Sequence, residues 1–250
     1  MRVTILGSGT CVPRLDRGAS SVLVRVGDES LVFDTGPGTI RRLLEAGCAP
    51  ERVSAFFYTH HHPDHTADLA PILFSAKYGR SPRAPFLAAG GQGFRGFYER
   101  LLVAYGHWIE LTEGVMEIRE LSVEGPDRVE GSGWRVESLP VAHGPESVAY
   151  RVTDEGGRTL AISGDTDMCE GIVSIARNAD VFLCEASLPD GLKIEGHLTP
   201  SLAGKIASEA GVKHLVLTHI YPEADAVDLV GQCRKTWSGP LTVARDLMEL

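Results

Sequence analysis

The sequence predicts an α/β protein in which two mixed β-sheets pack face to face and helices cover the outer faces. Three observations carry this. Apolar β-rich runs and helix-patterned stretches are interspersed in both halves of the chain without strict alternation, a poor fit to a doubly wound sheet. A hairpin signal, TDEGGRT (153–159), sits between two such runs, so part of a sheet is antiparallel. One local pattern recurs in the two halves: a β-rich run, then an aspartate, then glycine or threonine. It appears at Asp34 in SLVFDTGPGT and at Asp165 in TLAISGDTD.

The elements follow in order. Val3 to Leu6 reads as the first strand, because its apolar run breaks at Gly7 and is too short for a secretory signal. The run ending at Phe33 and the run VSAFFYT (53–59) read as buried strands, the first closed by a tight turn. Residues 67–79 have helical apolar spacing with Gly79 as the stop, and residues 93–106 read as a second helix. Strands are expected at 115–121, 134–141, 147–153 and 159–165, and again at 179–187. A helix over 199–211 has Thr199 as N-cap, Pro200 at its first position and Gly211 at its end. Another strand covers 212–220, and a final helix is expected over 225–237. Residues 1–250 are read as one domain of two similar halves, long enough for a substantial core at 43% hydrophobic residues.

Composition narrows the function. The five cysteines (Cys11, Cys48, Cys169, Cys184 and Cys233) are odd in number and form no C-x-x-C pair. That argues against a disulfide framework and a zinc ribbon, and makes the cytoplasm the expected compartment. No apolar stretch approaches membrane-spanning length, so no membrane partner is expected. A net charge of −9 argues against a large polyanionic partner.

Four of the nine histidines crowd into YTHHHPDHTAD (58–68), directly after a strand. His60, His62, Asp64 and His65 form the pattern H-x-H-x-D-H. Extended backbone turns His60 and His62 the same way, which makes a first metal half-site. Asp64 and His65 come from the turn that starts the next helix and suit a second metal nearby. Pro63 stiffens the turn between the pairs, and His61 points away. Neither site is complete with these four. His143, Asp165 and His219 each close an apolar run, as expected where strand ends line one cleft.

This constellation resembles the metallo-β-lactamase-fold hydrolases over nearly the whole chain, and the resemblance implies an αββα sandwich. It also implies that His60, His62 and His143 hold one metal, that Asp64, His65 and His219 hold the other, and that Asp165 bridges them. Asp34 matches the family's buried aspartate that supports the histidine loop. Nitrogen and carboxylate donors without cysteine suit two zinc ions best, with manganese or iron as alternatives. LCEASL (183–188) and EGHLTP (195–200) resemble motifs of the ribonuclease Z-like branch. There Glu185 would orient His197, and His197 would act as an acid or as a donor to the reacting phosphoryl group. The opening stretch 5–24 resembles that branch too. Its transfer-RNA-processing members, however, carry a lysine and an asparagine where this chain has Leu15 and Gly18. They also carry a long flexible arm, commonly between the third motif and the bridging aspartate, where this chain has only a short hairpin segment (144–163). Dimers are common in the branch, so a homodimer is expected.

The expected activity is that of a dinuclear metal-dependent hydrolase. Two cations flanking one water lower its pKa from ~15.7 to about 7, so a bridging hydroxide can attack phosphorus. Asp64 would take a proton from the nucleophile and His197 would assist the leaving group. The substrate expected is a small or short single-stranded phosphodiester. Alternatives are a lactonase, an arylsulfatase or other ester hydrolase, a tRNA 3′-processing endonuclease, or a non-catalytic metal-binding protein of the same fold. His107 and His214 are expected to be structural, and Asp225 and Asp228 to be solvated helix positions. Phe94, Phe97, Tyr98, Tyr105 and Trp108 read as helix packing or a dimer face.

Overall fold

A computed structural model describes residues 1–79 and 85–250. Its first sheet runs in chain order: β1 (Arg2–Gly7), β2 (Ser21–Val26), β3 (Glu29–Phe33), β4 (Ala55–Tyr58), β5 (Phe86–Gly91) and β6 (Met116–Leu121). The β1–β2–β3 portion is antiparallel and the β3–β4–β5–β6 portion is parallel. The second sheet repeats this plan with β7 (Asp127–Gly131), β8 (Trp134–Pro140), β9 (Val148–Asp154), β10 (Thr159–Ile162), β11 (Val181–Glu185), β12 (Leu215–Thr218) and β13 (Leu241–Val243). Here β7 to β10 are antiparallel and β10 to β13 parallel. The helices are α1 (Thr39–Glu45), α2 (Pro63–Thr66), α3 (Leu69–Tyr78), α4 (Phe94–Tyr105), α5 (Glu170–Ala176), α6 (Pro200–Ala210), α7 (Pro222–Asp225) and α8 (Leu229–Cys233).

The period of two along a strand explains the layering. Phe57 of β4 points inward. It stacks on Phe33 with ring centroids 5.0 Å apart and meets Tyr150 and Trp134 of the other sheet edge-on at 5.6 and 6.1 Å. Its neighbours Phe56 and Tyr58 point outward into a cluster with Leu69, Ile72 and Leu73 of α3 and Phe94 of α4. In β11 the same alternation turns Leu183 inward and Phe182 and Cys184 outward, toward Ile206 and Ala207 of α6. Strands buried on both faces read as continuous apolar runs, which is why VSAFFYT and ADVFLCEAS lack polar alternation. Truncating Phe57 to alanine would cost about 3–5 kcal/mol through lost burial and the cavity left behind.

The hairpin expected at 153–159 joins β9 to β10, with Gly157 at φ 77°. Thr199 caps α6 and Gly211 ends it at φ 64°. The last helix departs from expectation. In place of one helix over 225–237, α7 ends at Asp225 and only Leu229–Cys233 (α8) is helical, because the Asp228 side chain accepts from the Gly231 N–H (2.8 Å) and starts α8 afresh. Asp225 is not simply solvated either. It accepts from Arg14 Nη1 (2.7 Å) and from Arg17 Nε (2.7 Å) and Nη2 (3.0 Å), fastening the opening loop to α7. The sequence reading leaves β2, β5, β7, β13, α1 and α5 unassigned. Among the described residues, no helix is long and apolar enough to cross a membrane.

Candidate metal centre

The residues singled out by sequence converge where the strands end, the usual place for a ligand cleft beside parallel strands. Asp34 follows β3, His60 follows β4, His143 follows β8, Asp165 follows β10, and His219 follows β12. Both Asp34 (φ 59°) and His219 (φ 56°) hold left-handed backbone, a conformation that costs about 1–3 kcal/mol and persists where the surroundings enforce it. Gly164, also left-handed at φ 57°, lets loops from the two sheets meet. A Cβ there would lie 2.6 Å from Thr59 Cβ.

The donor atoms fall into two sets. His60, His62, His143 and Asp165 form one, and Asp64, His65, Asp165 and His219 form the other, each with its donor atoms within 4.8 Å of one another. The two oxygens of Asp165 divide between them. Oδ2 faces His60 Nε2 at 3.8 Å and His143 Nε2 at 4.0 Å, while Oδ1 faces His65 Nε2 at 3.4 Å and His219 Nε2 at 3.3 Å. Asp64 Oδ2 completes the second set, 3.4 Å from His219 Nε2. His62 Nδ1 lies 3.2 Å from His143 Nε2 at the solvent-facing end of the first.

The rings are aimed by bonds on their far side. His65 Nδ1 donates to Asp34 Oδ2 (2.8 Å), and His143 Nδ1 donates to the Gly196 carbonyl (2.8 Å). The Thr59 hydroxyl donates to Asp34 Oδ2 (2.9 Å) and so accepts from His60 Nδ1 (3.1 Å). In the neutral form of each ring these bonds place the proton on Nδ1 and turn the Nε2 lone pair inward. Buried His60 Nε2, His65 Nε2 and Asp165 Oδ1 have no hydrogen-bond partner. Such orphaned polar atoms are costly unless a cation meets them, and their N and O character fits divalent metal.

Electrostatics sharpens the pattern. Burial and the neighbouring His65 hold His60 well below the usual imidazole pKa. For His65 burial works against the charge, yet Asp165 and Asp34 outweigh it and hold it well above that value. Asp165 lies well below the carboxylate range despite its burial, because His219 and His65 flank it.

Glu185 and His197 lie beside the second set. His197 Nδ1 donates to Glu185 at 3.2 Å from Oε1 and 3.3 Å from Oε2, and its ring centre lies 4.9 Å from that of His143 and 5.9 Å from that of His219. Burial lowers the pKa of His197, but the bond and charge of Glu185 raise it above the ordinary value overall. Glu185 is buried and is also held by the Thr166 N–H (2.7 Å). Glu185, His197 and His219 form a third close set, but the Ser187 hydroxyl already bonds to Glu185 and His219 and lies 3.3 Å from His197 Nδ1.

Sequence reasoning passed over Thr59, Thr166, Ser187 and Tyr221. Tyr221 sits edge-on to His197 and His219, its phenol pushed up to about 12 by burial and then by the charges of Asp64 and Asp165. The only signal available for Thr59 and Ser187 was a hydroxyl residue beside a motif residue at a strand end. His61 turns away from both donor sets and stacks on Phe97 at 5.3 Å. His214 Nε2 pairs with Thr242 Oγ1 (2.9 Å), and His107 tilts against Trp108, both away from the centre. Leu15 is fully exposed, and the Gly18 N–H donates to Asp246 (2.7 Å). The stretch from His143 to Asp165 is the β9–β10 hairpin, with no segment left for an arm.

Comparison with known proteins agrees with this geometry. The profile of the metallo-beta-lactamase superfamily matches residues 14–184. A ribonuclease Z of Streptomyces avermitilis is 30% identical, the match covering 99% of this chain and 96% of that one. An uncharacterised protein of Mycobacterium tuberculosis, Rv1339, is 34% identical over 96% of this chain and 88% of its own length. The short form of human tRNase Z superposes with a TM-score of 0.83 and 27% identity, covering 100% of this chain and 98% of that one. Sandwich, strand-end cleft and sequence thus agree: among the described residues the His143–Asp165 stretch carries no flexible arm, and the chain belongs to the metallo-beta-lactamase superfamily, with ribonuclease Z-like relatives.

Proposed function

We propose that this metal-dependent hydrolase is a dinuclear phosphodiesterase acting on a small or short single-stranded phosphodiester. The observation that carries the proposal is Asp165, whose two oxygens face two separate sets of inward-turned donors. In this reading His60, His62 and His143 hold one divalent ion, Asp64, His65 and His219 hold the other, and Asp165 is shared. Zinc is the first choice for such donors, with manganese and iron as alternatives. When bound, the ions supply Lewis acidity and lower the pKa of a water to about 7. The protein's own groups do the rest. Asp64 would accept the proton of the nucleophile, and His197, whose pKa Glu185 raises, would deliver a proton or a hydrogen bond to the departing oxygen. Arg14, Arg17 and Arg42, basic groups in or near the opening loop, are engaged by Asp16, Asp225, Glu45 and Asp246. That pairing favours a compact substrate over a long polyanion. A homodimer belongs to the same reading. The exposed neighbours Phe74, Tyr78 and Trp108 are the face to test for it by sedimentation.

Metal-stripped protein should be inert on bis(p-nitrophenyl) phosphate and recover with zinc or manganese. A loaded protein that leaves phosphodiesters intact but opens lactones or cleaves aryl sulfates refutes the substrate class. Cleavage of precursor tRNA at rates above those for small diesters would move the protein to the activity its ribonuclease Z relatives are named for.

A further inference from the structure

We infer that Ser187 is a positioning residue that sets the tautomer of His219 and so ties the Glu185–His197 pair to the second metal set. The inference rests on the metal reading above and adds a residue to it. The Ser187 hydroxyl donates to Glu185 Oε2, and its Oγ lies 2.9 Å from His219 Nδ1. A hydroxyl has one proton and two lone pairs. With the proton given to an anionic carboxylate, Oγ accepts from His219 Nδ1–H. That leaves Nε2 as the nitrogen available to a cation shared with Asp64 and Asp165, whose oxygens lie 3.4 and 3.3 Å from it. Thr59 does the same between Asp34 and His60 on the other sheet. The two halves of the sandwich therefore each carry a carboxylate–hydroxyl–imidazole chain ending at a ligand nitrogen. Ser187 is fully buried, so no water can replace its oxygen without rearrangement. The same oxygen lies 3.3 Å from His197 Nδ1, so one hydroxyl touches both the candidate acid and a candidate ligand.

Full-length protein and the variants Ser187→Ala and Ser187→Thr are titrated with zinc against a chromophoric chelator. The histidine tautomers of each metal-free form are read by long-range 15N NMR. We expect the parent to hold two equivalents and to show Nδ1–H at His219. S187A should bind one equivalent about 10–100-fold more weakly and show mixed tautomers there, and S187T should restore both readouts. Should S187A fail to fold, Ser187→Cys, which offers only a weak donor, carries the same test. An S187A protein that keeps both equivalents at parental affinity, with Nδ1–H unchanged, overturns the inference. A parent that binds fewer than two equivalents overturns the dinuclear reading instead. The tautomer in metal-free parent then decides the part of Ser187 alone, and Nε2–H at His219 refutes it.

Discussion

His65 Nδ1 sits 2.8 Å from Asp34 Oδ2, across two consecutive strand ends of the first sheet. The same carboxylate takes the Thr59 N–H (2.8 Å) and the Thr59 hydroxyl (2.9 Å), so one buried aspartate shapes the whole histidine loop. Asp34→Ala would leave these donors unpaired and free the His65 ring to turn. We expect zinc affinity to fall about 10–100-fold, read by chelator competition. Parental affinity in D34A would show that the loop holds its shape without the carboxylate.

Metal should also stabilise the fold. A ligand that binds only the folded state adds about 2.7 kcal/mol at a hundredfold excess over its dissociation constant. Calorimetry should therefore show a higher Tm with zinc and a lower one with a chelator. Asp165→Asn should lose most of that difference, because both donor sets share this residue. A Tm indifferent to zinc counts against binding at this centre.

The pH dependence of turnover should report on His197. Glu185 raises the pKa of this imidazole against the opposing effect of burial. Activity that needs the proton is present below that raised value and is lost as pH climbs through it. Glu185→Gln removes the upward push, so the basic limb of the kcat profile should move to lower pH, with kcat reduced about 10²–10⁴-fold where the acid is needed. An unmoved limb would assign that ionisation to another group.

Asp180 offers a stability test remote from the centre. Its pKa is lowered to about 2, first by the hydrogen bond from Lys213 Nζ (2.7 Å) and then by Thr159, with burial opposing. A depressed carboxylate stabilises above its unfolded pKa of about 3.9 and stops doing so as pH falls through its folded value. Asp180→Asn should cost about 1 kcal/mol at neutral pH through weakened bonds to Thr159. Urea denaturation should show the gap to the parent closing between pH 4 and pH 2. A gap that persists at pH 2 would trace the effect to packing.

Much of the fold was legible because burial on both faces writes long apolar runs, as in VSAFFYT and ADVFLCEAS. Short or mixed elements were not. β13 is three residues long, and β7 carries Asp127, Arg128 and Glu130 on an edge, so neither has a strong period. The final helix failed because Asp228, whose side chain competes for backbone N–H groups, acts as a cap within an otherwise helical pattern. At the site, the residues that converge were readable from H-x-H-x-D-H and from histidines and an aspartate closing strands. Residues that touch the candidate ligands from behind were invisible. Ser187 and Thr59 look like any small polar residue until β11, β12 and β4 bring their hydroxyls against imidazoles. Asp225 likewise gains its meaning from Arg14 and Arg17, more than two hundred positions away.

The division of Asp165 between two donor sets has a mechanical consequence. His60, His62, Asp64 and His65 ride on one leaf of the sandwich, and His143, Asp165 and His219 on the other. With metal bound, the centre would act as a rivet through both leaves at their strand ends. In the metal-loaded protein, sliding or prying the leaves apart would then have to break bonds to the ion as well as expose Phe57 and Tyr150. Metal loading should therefore slow the escape from the folded state as well as deepen it.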